Sequence, residues 1–177
     1  MKRFIAITVM TLLLSSCAGM GGGANVARDI DFNADVEAIS TGVSKFDENT
    51  RQSLNIETYE QFKSISENNG RILEEIDAAI DNFRSNIERA SSELPSEDST
   101  KSPSKSKLLA WADGYKTWIY YQKLNQSIGV ECLNYPDSWT NCLISRLSET
   151  SQNEQASTVQ LTIAIQGIQE WRDFAGQ

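Results

Sequence analysis

From residue 32 onward, apolar side chains recur at helical rather than alternating spacing. Phe32, Val36, Ile39, Val43 and Phe46 lie 4, 3, 4 and 3 residues apart, which places them on one stripe of a helix. Asp29, Asp31, Asp35 and Glu37 cluster near its start, where the helix dipole favours negative charge. A longer stripe follows through Phe62, Ile65, Asn69, Ile72, Ile76, Ala79, Phe83, Ala90 and Leu94, with Ile80 and Ile87 beside it. If continuous over 57–94, this helix has 38 residues and a length of roughly 57 Å. Asn68-Asn69-Gly70 opposes continuity, because glycine readily takes the left-handed cap conformation. The apolar phase nevertheless crosses that tripeptide without a slip. The pattern therefore predicts a continuous or kinked helix, with Asn69 as a polar, register-setting residue in the seam.

Residues 95–106 (PSEDSTKSPSKS) contain two Pro and five Ser and read as an internal loop. A third helix is predicted over about 105–128, burying Leu108, Trp111, Ala112, Tyr115, Trp118 and Ile119, then Tyr121, Leu124 and Ile128. A turn is expected over 129–137, containing Cys132 and Pro136, with a fourth helix capped near Ser138. The fourth line runs through Leu143, Leu147, Thr150, Glu154, Ser157, Leu161, Ala164, Ile168, Trp171 and Ala175. Its middle, 148–157, is polar, and a break is expected there. Residues 159–165 alternate like a strand, but no second strand is available to pair with them, so helix is the better reading. The expected fold class is all-α, an antiparallel bundle of about four helices forming a single domain over 26–177, with the Ser/Pro-rich loop at 95–106.

The amino terminus follows a different logic. Lys2 and Arg3 precede an apolar run over 4–14, interrupted only by Thr8 and Thr11. A spanning helix needs about 20 apolar residues, so this run is too short and matches a secretory leader. It ends in Leu14-Ser15-Ser16-Cys17, which resembles the lipobox of bacterial lipoproteins. The resemblance covers only the first twenty residues or so. It implies a signal peptide over 1–16, cleavage before Cys17, and lipidation of Cys17 as a diacylglycerol thioether with an acylated amino terminus. Two or three acyl chains anchor stably where one does not. Position 18 is Ala, whereas Asp there is the familiar inner-membrane retention signal of Gram-negative lipoproteins. The resemblance thus implies outer-membrane delivery with the body facing the periplasm. Residues 17–25 follow as a tether, with four glycines in AGMGGGAN.

Composition narrows the chemistry. With 177 residues, 40% apolar and 23% charged, the chain fits one water-soluble domain. Its net charge of −8 becomes −10 when Lys2 and Arg3 leave with the leader. That sign disfavours nucleic acid and anionic lipid headgroups, so membrane attachment is expected through the acyl chains on Cys17 alone. The chain has no histidine, which removes Ser-His-Asp and Cys-His catalysis, histidine zinc sites and imidazole proton shuttles. Glu74, Glu75, Asp77 and Asp81 fall largely off the apolar stripe and read as a solvated face. Gly21-Gly22-Gly23 sits in the tether rather than between a strand and a helix, so it is no phosphate loop. No catalytic residue, cofactor or metal is expected.

Two features remain. Once Cys17 carries lipid, Cys132 and Cys142 are an even pair in an oxidising compartment, flanking a turn with nine residues between them. A structural disulfide is the leading reading; free thiols, a redox pair or a metal pair are the alternatives. All four Trp and four of five Tyr lie beyond residue 110. Trp111, Tyr115 and Trp118 share the buried face, while Tyr120 and Tyr135 form a candidate binding surface. The expected role is a non-enzymatic envelope lipoprotein, a structural, adaptor or inhibitory module for another envelope protein. The alternatives are a surface-exclusion or immunity-type lipoprotein, and a small-ligand or peptidoglycan-binding lipoprotein using the aromatic half.

Overall fold

A computed structural model of the chain describes residues 32–97 and 103–175. The expected leader at 1–16 and tether at 17–25, Cys17 included, lie outside the described residues. All regular structure among the described residues is helical. It comprises α1 (Phe32–Gln52), a 3-10 turn (Ser53–Asn55), α2 (Tyr59–Arg89), α3 (Lys105–Cys132), α4 (Trp139–Ser145) and α5 (Leu147–Ala175).

The caps follow from the sequence. Thr58 Oγ1 accepts from Gln61 N at 3.2 Å, and Gln61 Oε1 accepts in return from Thr58 N at 3.1 Å, a reciprocal box that starts α2. Ser104 Oγ accepts from Lys107 N at 3.2 Å and starts α3. α2 runs unbroken through Asn68-Asn69-Gly70. The stop signal is overridden because both asparagines find partners on α1. Asn49 Nδ2 donates to Asn69 Oδ1 at 2.8 Å and to the Ile65 carbonyl at 3.1 Å, and Asn68 Nδ2 donates to Asn49 Oδ1 at 2.9 Å. The expected span to Leu94 is shortened: α2 ends at Arg89, although Ala90 and Leu94 stay buried in the turns beyond it.

Three expectations for the second half are corrected. α3 continues through Gly129 to Cys132, so the predicted turn at 129–137 begins later. Ile128 and Cys132 are buried against Phe62, and that packing carries the helix past the glycine. The fourth helix is divided: α4 is a seven-residue piece, and α5 starts after Arg146. The break therefore precedes 148–157, which is continuous helix. Three of the polar residues there, Asn153, Glu154 and Ser157, turn toward α3 and bond across to it, while Ser148, Glu149, Ser151, Gln152 and Gln155 are exposed. Asn153 Nδ2 donates to Asn125 Oδ1 at 2.9 Å, Asn125 Nδ2 to Glu154 Oε1 at 2.9 Å, and Gln122 Nε2 to Ser157 Oγ at 3.1 Å. Residues 159–165 are helical.

The core has two parts. The larger gathers Phe32, Val36 and Ile39 of α1, Ile72, Leu73, Ile76, Ile80, Phe83 and Ile87 of α2, Trp111, Tyr115 and Trp118 of α3, and Ala164 of α5. Ile76, Ile80 and Ile87 are 1% exposed or less, and each such burial is worth about 1.5–3 kcal/mol. Phe32 meets Phe83 edge-on at 5.9 Å, and Phe46 meets Trp118 edge-on at 5.6 Å. The smaller part joins Phe62, Ile128 and Cys132 with Ile56, Tyr59, Leu133, Trp139, Cys142 and Leu143. A polar tier separates them: Ser66 and Asn69 lie between Phe62 and Ile72 on α2, and Gln122 and Gln126 lie between Ile119 and Ile128 on α3. Gln126 Nε2 donates to the Ser66 carbonyl at 2.7 Å, tying the two helices at this level. α5 approaches α3 closely through small residues, with Gly114 against Ala164 and Gly167 against the Trp111 ring. Among the described residues, no helix is long and apolar enough to cross a membrane.

Candidate functional site

Cys132 is the last residue of α3 and is fully buried. Its sulfur lies 2.00 Å from that of Cys142, with the Cα atoms 5.6 Å apart. The structure thus brings the two cysteines together at disulfide distance. This contact matters because α4, which carries Cys142, has no buried residue. Its other attachments are few. Trp139 stacks on Phe62 with ring centroids 4.8 Å apart, and Tyr59 Oη donates to the Leu133 carbonyl at 2.7 Å just before the turn. Arg146, at the joint between α4 and α5, donates to both Glu131 oxygens at 2.9 and 2.8 Å and to Glu149 Oε2 at 2.9 Å. Those two carboxylates hold the guanidinium above its already high ordinary pKa, so it stays charged.

Tyr120 and Tyr135 are both exposed, at 58% and 50%. They are not brought together. Twelve helical residues separate Tyr120 from Cys132, which is roughly 18 Å of axis, and the chain turns only then to reach Tyr135. Tyr120 instead packs edge-on against Tyr121 at 5.3 Å.

The acidic group on α2 is only partly the solvated face expected. Glu75 pairs with Arg71 on its own helix, but Asp77, whose side chain is 25% exposed, faces α3. It accepts from Lys116 and, at 2.7 Å, from Lys123. Lys116 also reaches Asp81 at 2.8 Å, and Lys123 reaches Glu74 at 3.0 Å. Burial pushes Asp77 upward, but hydrogen bonds and charge from both lysines outweigh it and hold the carboxyl below its ordinary value. Burial likewise lowers Lys116 and Lys123, and their carboxylate partners more than offset it. Glu74, Asp77 and Asp81 with Lys116 and Lys123 thus form a clasp between α2 and α3. The signal was available in sequence. Lys116 and Lys123 stand seven apart, matching Glu74, Asp77 and Asp81 at three and four.

Open grooves add little chemistry. One, of about 580 Å³, is lined by Gln52, Asn55, Ile56, Glu60, Gln61, Ser64 and Ile65, with one carboxylate among amides and a hydroxyl. Among the described residues, no group of three or more His, Cys, Asp or Glu side chains is placed to hold a metal ion. No family model, no curated protein and no solved structure matches this chain.

Proposed function

We propose that the chain is a lipid-anchored envelope protein, held at the outer membrane through acyl chains on Cys17. Its periplasm-facing helical body acts as a non-enzymatic adaptor or inhibitory binding module. The observation that carries this reading is the ordered leader: two basic residues, a short apolar run, then Leu14-Ser15-Ser16-Cys17. A cysteine pair at disulfide distance suits an oxidising compartment. The acidic body suits standing off from anionic headgroups.

The body is an antiparallel bundle in this reading. Residue pairs between neighbouring helices support it, because one partner's number falls as the other's rises. Phe32 meets Phe83 while Asn49 meets Asn69, Glu88 meets Lys105 while Ser66 meets Gln126, and Trp111 meets Gly167 while Asn125 meets Asn153. With the anchor before α1, the end of α1, the turn into α2 and the α3–α4–α5 joint form the membrane-distal end.

The test is Cys17→Ala in cells fed an alkyne fatty acid. Labelling should vanish and the body should leave the membrane fraction. Retained labelling or retained membrane association would overturn the anchoring.

A further inference from the structure

We infer that two copies of this chain associate through the outward face of α5, along a seam of Ala156, Val159 and Ile163 closed at its two ends by the amides of Gln152 and Gln166. The inference concerns the helical body and stands whether or not Cys17 carries lipid. These five positions are spaced 4, 3, 4 and 3 within one unbroken helix, so they lie on a single stripe. All but the half-buried Ala156 are exposed. The side that meets α3 is a different one: Asn153, Ser157, Ala164 and Gly167 make that contact. The distribution of size on the helix is inverted. The described residues of α5 that are buried are Ser157, Ala164 and Gly167, whereas Val159 is 59% and Ile163 45% exposed. A helix that hides its small residues and shows larger ones at coiled-coil spacing has a second face left to bury.

Charge and hydrogen bonding name the occupant. Residues 155–169 are fifteen consecutive positions without a charged side chain, the longest such run among the described residues. The chain as a whole carries 24 acidic against 16 basic residues. Two copies therefore repel where their acidic surfaces meet, and this face lets them approach without that cost. Gln155 and Thr162, beside the seam, are exposed and uncharged as well, so no flanking charge selects an unlike partner. An amide or hydroxyl group both donates and accepts, and such groups pair with their own kind across a two-fold axis, as an isologous interface requires. Gln152 and Gln166 stand seven residues either side of Val159, so amide meets amide whether the two helices run parallel or antiparallel. A lipid surface would leave these amides unpaired in hydrocarbon, and a charged partner would bury its charge against neutral groups.

The test places a photo-crosslinking amino acid at Val159 or Ile163 of the full chain in its host, with the exposed Thr41 of α1 as the control site. The α5 sites should give an adduct of twice the chain's mass whose crosslinked peptides both come from α5, and the control should not. Val159→Glu combined with Ile163→Glu should raise the dissociation constant of the purified pair, read by sedimentation in detergent, about a hundredfold or more. Both sites are exposed and glutamate is a good helix former, so the far-UV circular dichroism spectrum should match the parent's. Val159→Lys combined with Ile163→Lys should likewise stop the chain from pairing with itself. Mixing the two double variants should restore a mixed pair, which loss of folding would not allow. An adduct with another protein or with lipid in place of the second copy, no adduct at α5, or a double-glutamate chain that pairs as tightly as the parent would overturn the inference.

Discussion

Gly167 gives the sharpest test of how α5 sits on α3. A Cβ built there would collide with Cδ1, Cγ and Nε1 of the Trp111 ring. Carbon atoms in contact prefer about 3.5–4.0 Å, so Gly167→Ala must displace the rigid indole or lift α5. Trp111 is 5% exposed within the main core and has little room to yield. Overpacking of this kind costs about 1–3 kcal/mol, while alanine for glycine inside a helix returns about 1 kcal/mol. A collision with a rigid, buried ring calls for the upper part of the overpacking range, about 2–3 kcal/mol, so the net expectation is a loss of roughly 1–2 kcal/mol, a Tm lowered by about 2–8 °C. Gly70 supplies the opposite sign in the same chain. Its added Cβ meets Gln126 Nε2 at 3.5 Å, an ordinary contact, in a helical backbone. Gly70→Ala should therefore stabilise by about 0.5–1 kcal/mol. Urea and thermal unfolding followed by far-UV circular dichroism would measure both, with tryptophan fluorescence reporting the Trp111 environment. A neutral or stabilising Gly167→Ala would refute the placement of Gly167 on Trp111. A destabilising Gly70→Ala would refute the continuity of α2.

Three further outcomes follow from the same contacts. Cys132 and Cys142 are ten apart in sequence, so a bond between them should contribute about 3 kcal/mol by loop closure; reduction, or Cys142→Ser, should lower the urea midpoint accordingly, and an equal midpoint would argue against it. Asn49→Ala should cost about 1–3 kcal/mol, because it strips partners from Asn68 and Asn69; a loss near zero in urea unfolding would show that the polar tier does not tie α1 to α2. Asp77→Asn should cost about 1–2 kcal/mol, softened because Lys116 keeps Asp81 and Lys123 keeps Glu74. The carboxyl of Asp77 is depressed on folding, so its contribution is present above its ordinary value of 3.8 and fades as pH falls through the lowered one. Lys116 and Lys123 are raised, so theirs holds below 10.5 and fades as pH rises beyond it. Asp77→Asn should therefore be less acid-sensitive than the parent chain, and a variant whose stability falls with acid as steeply as the parent's would contradict this.

Helical periodicity carried most of the fold in the sequence, because a one-sided apolar stripe reports its own burial. Phe32 to Phe46 and Ile72 to Ile87 were legible for that reason. What periodicity could not weigh was the use of polar residues between helices. Asn68 and Asn69 resemble a stop signal until Asn49 is known to face them. The polar stretch at 148–157 resembles a break until Asn125 and Gln122 are known to meet it. The actual break at Arg146 has no glycine or proline to announce it, and what marks it is tertiary: two carboxylates converging on one guanidinium. Leu73 was missed because it lies off the main stripe, yet it is 1% exposed. At the candidate site, the pairing of Cys132 with Cys142 was legible from parity and the turn. The separation of Tyr120 from Tyr135 was not, because it depends on α3 running four residues beyond its expected end.

The measurement closest to the central claim is mass spectrometry of the amino-terminal peptide of the protein recovered from its host's membranes. The account predicts that the mature chain begins at Cys17, with a diacylglycerol thioether on its sulfur and an acylated α-amino group. A chain beginning at any other residue, or a Cys17 whose thiol carries no lipid, would contradict it.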